Sequence, residues 1–242
     1  MGGGTHSKPA GDGTDASIQL DMAPNSVDDM YDGCRDQMMK KLPEYLNNEK
    51  NRNKEFAKAW KNAEAKAYTS SELDKQHITA IKCYTAAEND VYYQFNTAVR
   101  KEGPEYKTTF GFHALHFLLT DAIQALKERR SKNVPVGQDG CVTSFRRVGR
   151  SFNGKKNTQF RFSSFTSSSW GKYIENDKYG KKTCFEIKTC FGEDISKYST
   201  VAEEREVLIP PYEIFKVIDI KSSGPKESFP CEVEYKVKSA GK

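Results

Sequence analysis

The sequence predicts an α+β fold, with an N-terminal helical lobe packed on a C-terminal system of antiparallel strands. Three observations carry that prediction. The first half holds apolar residues at helical spacing, residues 131–140 interrupt the pattern with turn formers, and the second half alternates at period two. At 242 residues the chain is long enough to bury a substantial core. No internal repeat is present.

The first 19 residues are rich in Gly, Ser, Thr and Asp and are expected to be a disordered tail or a tag. Ser26 followed by Asp29 resembles a capping box, which opens a predicted helix running to about Asn48. Pro43 should kink or split it. A second helix is predicted over Lys54 to Ala67, where Phe56 and Trp60 stand four apart. Tyr92, Phe95 and Val99 repeat that spacing in a third. The clearest helix is Phe112 to Arg130, with Leu115, Leu119, Ala122 and Leu126 as its buried stripe and basic residues at its negative end.

After the break, Val142 to Val148 is the first predicted strand. Thr158 to Phe162 is the second, with Phe160 and Phe162 on one face. Phe165 breaks that parity, so a bend or bulge is expected before Ser167-Ser168-Ser169, and the serine run itself has loop composition. Thr183 to Phe191 alternates well, placing Cys184 and Cys190 opposite Phe185 and Ile187. Further strands are predicted at Arg205 to Ile209, Glu213 to Ile220 and Phe229 to Val237. Pro210-Pro211 ends the first of these.

Composition excludes several functions. A net charge of +5, with acidic and basic residues interspersed, gives no footprint for nucleic acid. No apolar run is long enough to span a bilayer, and no signal peptide is expected at the N-terminus. His113 and His116 lie three apart, but with no third ligand nearby they read as surface or core histidines, so no metal site is expected. The six cysteines form no Cys-x-x-Cys pair. Their even count and wide spread point to disulfides and an oxidising compartment.

Three features could bring chemistry together. Arg146 and Arg147 lie on the first strand, the serine run follows the second, and Glu204 and Glu206 are two apart on a later one. On an extended strand that spacing puts both carboxylates on one face. Singly, each feature also fits a solvated surface. Together they offer an anion clamp, a hydroxyl and a carboxylate pair, the groups needed to hold a dinucleotide and stabilise an oxocarbenium ion.

In order, these residues resemble a known family. Phe145-Arg146, Phe165-Thr166-Ser167-Ser168-Ser169 and Glu204-Arg205-Glu206 before Val207-Leu208-Ile209-Pro210-Pro211 are similar to the R-S-E signature of vertebrate ecto-mono-ADP-ribosyltransferases. The resemblance continues through Leu20-Asp21-Met22-Ala23-Pro24 with Asp28-Asp29, Leu115 to Thr120, and Thr189-Cys190-Phe191-Gly192. It covers about Leu20 to Tyr235. It implies a single domain over 20–242, with a helical lobe at 20–132 and an NAD-binding β-sandwich core at 140–238.

The resemblance implies NAD as co-substrate, arginine-containing acceptor proteins, and an arginine-specific transferase. Arg146 would grip the NAD pyrophosphate. Ser167 would bond at the nicotinamide ribose and support Glu206, the carboxylate that stabilises the ribose cation. Glu204 would position the acceptor guanidinium, which a carboxylate pairs with bidentately and an amide does not. Tyr84 matches an NAD-contacting tyrosine, and a packed aromatic is its alternative reading. Arg147 stands where the family has Gly, so its backbone would meet the nicotinamide carboxamide only if its φ is negative. Arg205 is expected to point to the face opposite the glutamates. Disulfides are implied for Cys34 with Cys231 and Cys141 with Cys190, leaving Cys83 and Cys184 free or joined in an extra bridge, with free thiols preferred.

An NAD glycohydrolase and a catalytically weak NAD- or partner-binding module are the alternatives on the same fold. A generic disulfide-stabilised binding domain would explain the cysteines but not the ordered motifs. A monomer is expected, extracellular and either secreted or lipid-anchored.

Overall fold

The computed structural model describes residues 16–242. Residues 1–15 of the expected disordered tail lie outside them. Ile18–Gln19, at the end of that tail, instead form strand β1, paired in parallel with β3 (Phe152–Asn153). Leu20 follows it onto the core of the strand half, which gives this short strand its anchor.

Five helices build the first lobe: α1 (Arg35–Arg52), α2 (Lys54–Lys66), α3 (Lys75–Thr85), α4 (Val91–Lys101) and α5 (His113–Ser131). The predicted start of α1 at Ser26 is corrected to Arg35. Tyr31 and Gly33 have φ of 59° and 76°, left-handed values that a helix cannot continue through. Ser26 and Asp29 serve as tethers instead: the Ser26 hydroxyl donates to the Ser163 carbonyl, and Asp29 accepts from the Tyr31 N–H and the Tyr106 hydroxyl. Pro43 neither splits nor ends α1. It lies on the exposed side, where water can satisfy the carbonyl its ring leaves unbonded, while Leu42 next to it is buried.

Asn53 separates α1 from α2 and caps the second with its side chain on the Phe56 N–H at 3.0 Å. Phe56, Ala59, Trp60 and Ala63 then face inward at the predicted spacing. The sequence reading missed α3. Ile78, Thr79, Ala80, Ile81, Cys83, Tyr84 and Thr85 are all buried, and within the helix Lys75, Gln76 and Lys82 alone reach solvent, a polar stripe too thin to reveal its period. In α5 the predicted stripe of Leu115, Leu119, Ala122 and Leu126 is buried throughout.

The second half forms an eight-stranded sheet from β2 (Val142–Val148), β4 (Gln159–Arg161), β5 (Thr166–Trp170), β6 (Thr183–Thr189), β7 (Glu193–Asp194), β8 (Glu206–Ile209), β9 (Ile214–Ser222) and β10 (Val233–Gly241). Their order is β4-β9-β10-β6-β2-β5-β8-β7. The α+β reading holds, with one difference: the sheet is mixed, because β10 runs parallel to β6. Phe160, Phe215 and Val217 near one end share a core with Phe185 and Ile187 of central β6 and with Ile209 of β8 near the other end, so the sheet curls over this core.

The serine run is a correction. Ser167, Ser168 and Ser169 are not a loop but the centre of β5, fully or almost fully buried between β2 and β8. Their hydroxyls have partners inside the sheet: Ser168 reaches the Ser144 hydroxyl and the Val207 carbonyl, and Ser169 the carbonyls of Phe145 and Lys172. Small polar side chains are cheap to bury once each is bonded.

The cysteine pairing also changes. Cys141–Cys190 forms as expected, across the paired ends of β2 and β6. The second bridge is Cys184–Cys231, not Cys34–Cys231, and Cys184 is therefore not free. Cys231 lies just before β10, which enters the sheet beside Cys184 on β6, giving a Cα–Cα distance of 5.6 Å. Cys34 sits at the start of α1, packed on the helical core, and stays a free thiol with buried Cys83.

Candidate active site

β2 and β5 pair only at Ser144–Phe145 and then part, opening the sheet where Arg146 projects. Arg146 donates from Nη1 to the Ser167 carbonyl at 2.7 Å and lines a cleft of about 800 Å³. That volume is in the range of a small-molecule or dinucleotide site. Tyr93, Arg100, Arg150, Phe162 and Thr166 also line it. Desolvation in the cleft, with the Arg146 and Arg150 charges adding to it, holds the Arg100 guanidinium below its ordinary value. With Arg161, four arginines line this one cleft and create the field a diphosphate would neutralise. Arg100 and Arg150 were not singled out from the sequence, where each is one more basic residue among many.

One residue beyond Thr166, the Ser167 hydroxyl donates to Glu206 Oε2 at 3.1 Å. Both residues are fully buried. The register of β5 with β8 sets this contact, since Ser169 faces Glu206 and Ser167 lies on the same side two residues along. The structure thus brings Arg146, Ser167 and Glu206 together.

Tyr84 lies behind them. It is fully buried among Tyr92, Phe95 and Phe165, and its hydroxyl accepts from Asn96 and donates to the Phe165 carbonyl. Burial first, then Tyr92 and Glu206, pushes its pKa well above the usual value, so it stays a neutral phenol. The packed-aromatic alternative describes its position.

Glu204 is placed differently from the strand reading. It ends a short 3₁₀ turn (Ala202–Glu204), and Arg205 after it is left-handed with φ of 49°. Strand alternation therefore does not set its direction. Instead, Tyr179 donates its hydroxyl to Glu204 Oε1 at 2.8 Å. Burial first, then the bond to Glu204 and the charges of Glu204 and Glu206, hold the Tyr179 pKa above its ordinary range. Tyr179 carried no sequence signal. Arg205 stacks its guanidinium 4.0 Å over the Trp170 ring, on the strand face opposite Ser169 and Glu206.

Arg147 does not reach the cleft. Its side chain is buried and donates to the carbonyls of Gly180 and Ile174 and to Asp177 Oδ1. Its φ is outside the left-handed region, so the main chain keeps ordinary strand geometry where the family has Gly.

A model of the family described as "ART: NAD:arginine ADP-ribosyltransferase" matches residues 20–230. The chain is a member of that family. It is 34% identical over 237 residues to the erythroblast NAD(P)(+)–arginine ADP-ribosyltransferase of Gallus gallus, covering 89% of this chain and 76% of that protein. To ecto-ADP-ribosyltransferase 5 of Mus musculus it is 36% identical over 224 residues, covering 86% and 69%. The crystal structure of the eucaryotic mono-ADP-ribosyltransferase ART2.2 superposes with a TM-score of 0.74 at 30% identity, covering 93% of this chain and 96% of that one. A variant of ART2.2 has been solved in complex with NAD.

NAD is the co-substrate. The cleft carries basic groups of the kind a diphosphate neutralises, and Tyr93 and Phe162 line it with aromatic surface. Among the described residues, no helix is long and apolar enough to cross a membrane.

Proposed function

We propose that this chain transfers ADP-ribose from NAD to arginine side chains of acceptor proteins and releases nicotinamide. Arg146, with Arg100 and Arg150, holds the diphosphate. Glu206, fixed by Ser167, stabilises the ribose cation as the bond from C1′ to the nicotinamide nitrogen breaks. A guanidinium nitrogen of the acceptor then attacks C1′ and loses a proton. Glu204 orients that guanidinium. The observation carrying this reading is the buried Ser167–Glu206 pair beside the Arg146 cleft. The ordinary strand geometry of Arg147 supports full NAD binding over a weakened module.

Two disulfides and the cell-surface names of relatives support action outside the cell.

Incubation with NAD and agmatine tests the reading, with agmatine–ADP-ribose as the expected product. Glu206→Gln should lower all turnover by roughly a thousandfold. Glu204→Gln should spare NAD cleavage and remove most transfer. Free ADP-ribose without adduct from the wild type would make the protein a glycohydrolase, and equal loss in both variants would refute the separate roles.

A further inference from the structure

Arg147 raises a question that NAD binding does not answer. A buried arginine is costly unless its donors are satisfied, and this one stands where a glycine would serve the cofactor. All its bonds go to one segment, residues 171–182, between β5 and β6.

That segment is held at three points along one face of β2. Tyr173 packs edge-on against Phe145 at 4.9 Å and joins Phe229 and the Cys184–Cys231 bridge in a small apolar cluster. The Arg147 fork takes Ile174, Asp177 and Gly180. Gly180, with φ of 104°, lies so close to Val148 and Gly149 that a Cβ there would come within 2.0 Å of the Gly149 nitrogen. Between the last two anchors stands Tyr179, whose hydroxyl donates to Glu204. Register places Phe145 and Arg147 on the same sheet face as Ser169 and Glu206.

We propose that Arg147 and Tyr179 are positioning residues for the acceptor, holding the Glu204 carboxylate at the angle that receives a guanidinium. They therefore set the balance between transfer to arginine and hydrolysis by water. Arg147 clamps the segment, the segment delivers Tyr179, and Tyr179 occupies one oxygen of Glu204. That bond fixes one oxygen of a carboxylate carried by a one-turn helix and a left-handed residue, so its loss shifts the angle Glu204 presents. The chemistry at the ribose does not depend on it, since Glu206 is oriented from Ser167. The inference rests on the transferase reading above.

The test is the ratio of agmatine adduct to free ADP-ribose, with KM for agmatine and for NAD measured separately. In Tyr179→Phe, which keeps the ring and removes only the donor, the ratio should fall about tenfold, as expected for a lost hydrogen bond to a charge. KM for agmatine should rise, while KM for NAD and the hydrolysis rate stay within about twofold. Arg147→Met should move the ratio the same way, and Arg147→Lys should recover it only in part, because one ammonium cannot span three acceptors. An unchanged ratio in Tyr179→Phe overturns the proposal, as does equal loss of transfer and hydrolysis. An unchanged ratio in Arg147→Met removes the clamp from it. A wild type that cleaves NAD and never modifies agmatine overturns both this proposal and the transferase reading.

Discussion

Arg146 and Arg147 are neighbours on β2, yet the strand sends them to different halves of the reaction. Arg146 keeps its guanidinium at the cleft wall, bonded to a carbonyl of β5. Arg147 is buried, and its bonds are to fixed protein acceptors. The same side chain thus lines a cleft in one case and is a structural fork in the other. Period-two alternation alone separates them. The charge of a residue says less about its role than the face of the strand it occupies.

The largest test of this contrast is removal of each charge. Arg146→Met should lower kcat/KM for NAD by roughly a hundredfold, in hydrolysis and transfer alike, because the diphosphate contact precedes both. The transfer ratio should stay at its wild-type value. Arg147→Met should do the reverse, moving the ratio and leaving KM for NAD near the wild type. If Arg146→Met changed the ratio as strongly as the total rate, the two faces would not divide the work.

A smaller effect comes from the bridge behind the acceptor side. Cys184 stands opposite Arg147 in the β2–β6 register, whereas Cys190 ends the same pair of strands well away from it. Replacing both Cys184 and Cys231 by Ser should cost roughly 2–4 kcal/mol in denaturant unfolding. It should also lower the transfer ratio severalfold, since Tyr173 rests on that bridge. Replacing Cys141 and Cys190 should give a similar loss of stability with the ratio unchanged. A ratio insensitive to both would detach the bridge from acceptor selection.

How much of this was visible beforehand differs from element to element. α2 was legible because it has one buried face and one wet face, and periodicity reports that contrast. α5 was legible from its length and its recurring leucines, although it is buried nearly all round as far as Ile123. α3 and β5 were not: both are short and mostly buried, and β5 is built from serines that hide among loop residues. Arg146, Ser167 and Glu206 could be named because their order along the chain resembles a family. Their contact arises from strand register. Glu204 was named on a premise the structure overturns, since a 3₁₀ turn and a left-handed Arg205 place it, not strand alternation. Tyr179 lay out of reach: a lone tyrosine beside Gly180 acquires meaning only when Arg147 fastens that segment. Cysteine spacing does not determine connectivity, so the partner of Cys231 could be read only from which strand it precedes.

The smallest effect concerns pH, and it decides whether a pH profile of transfer reports the site or the fold. Two buried groups near the start of α5 oppose each other. Glu49 accepts the His113 and Ala114 N–H groups, yet burial outweighs those bonds and the Arg52 charge and raises its pKa to about 7. His116 is held down to about 4 by burial, against the pull of the Val27 carbonyl and Asp29. Glu49 retains its proton in the folded state above pH 4.5, so its contribution is present at low pH and lost as pH rises to 7. His116 stays neutral when folded below pH 6.5, so its contribution is present at high pH and lost as pH falls toward 4. Each slope is about 1.4 kcal/mol per pH unit, with opposite sign, and they cancel over most of pH 4.5 to 6.5. His113, also held below its usual value by burial, adds to the His116 side, while Glu193, Glu213 and Glu234, raised by burial, add to the Glu49 side. Glu49→Gln should therefore tilt the dependence of stability on pH upward across that window by about 1.4 kcal/mol per unit, measured by urea unfolding at half-unit steps. A slope equal to that of the wild type would mean that Glu49 does not titrate there. A change in the transfer ratio over the same range that does not follow the unfolding profile belongs to the site rather than to the fold.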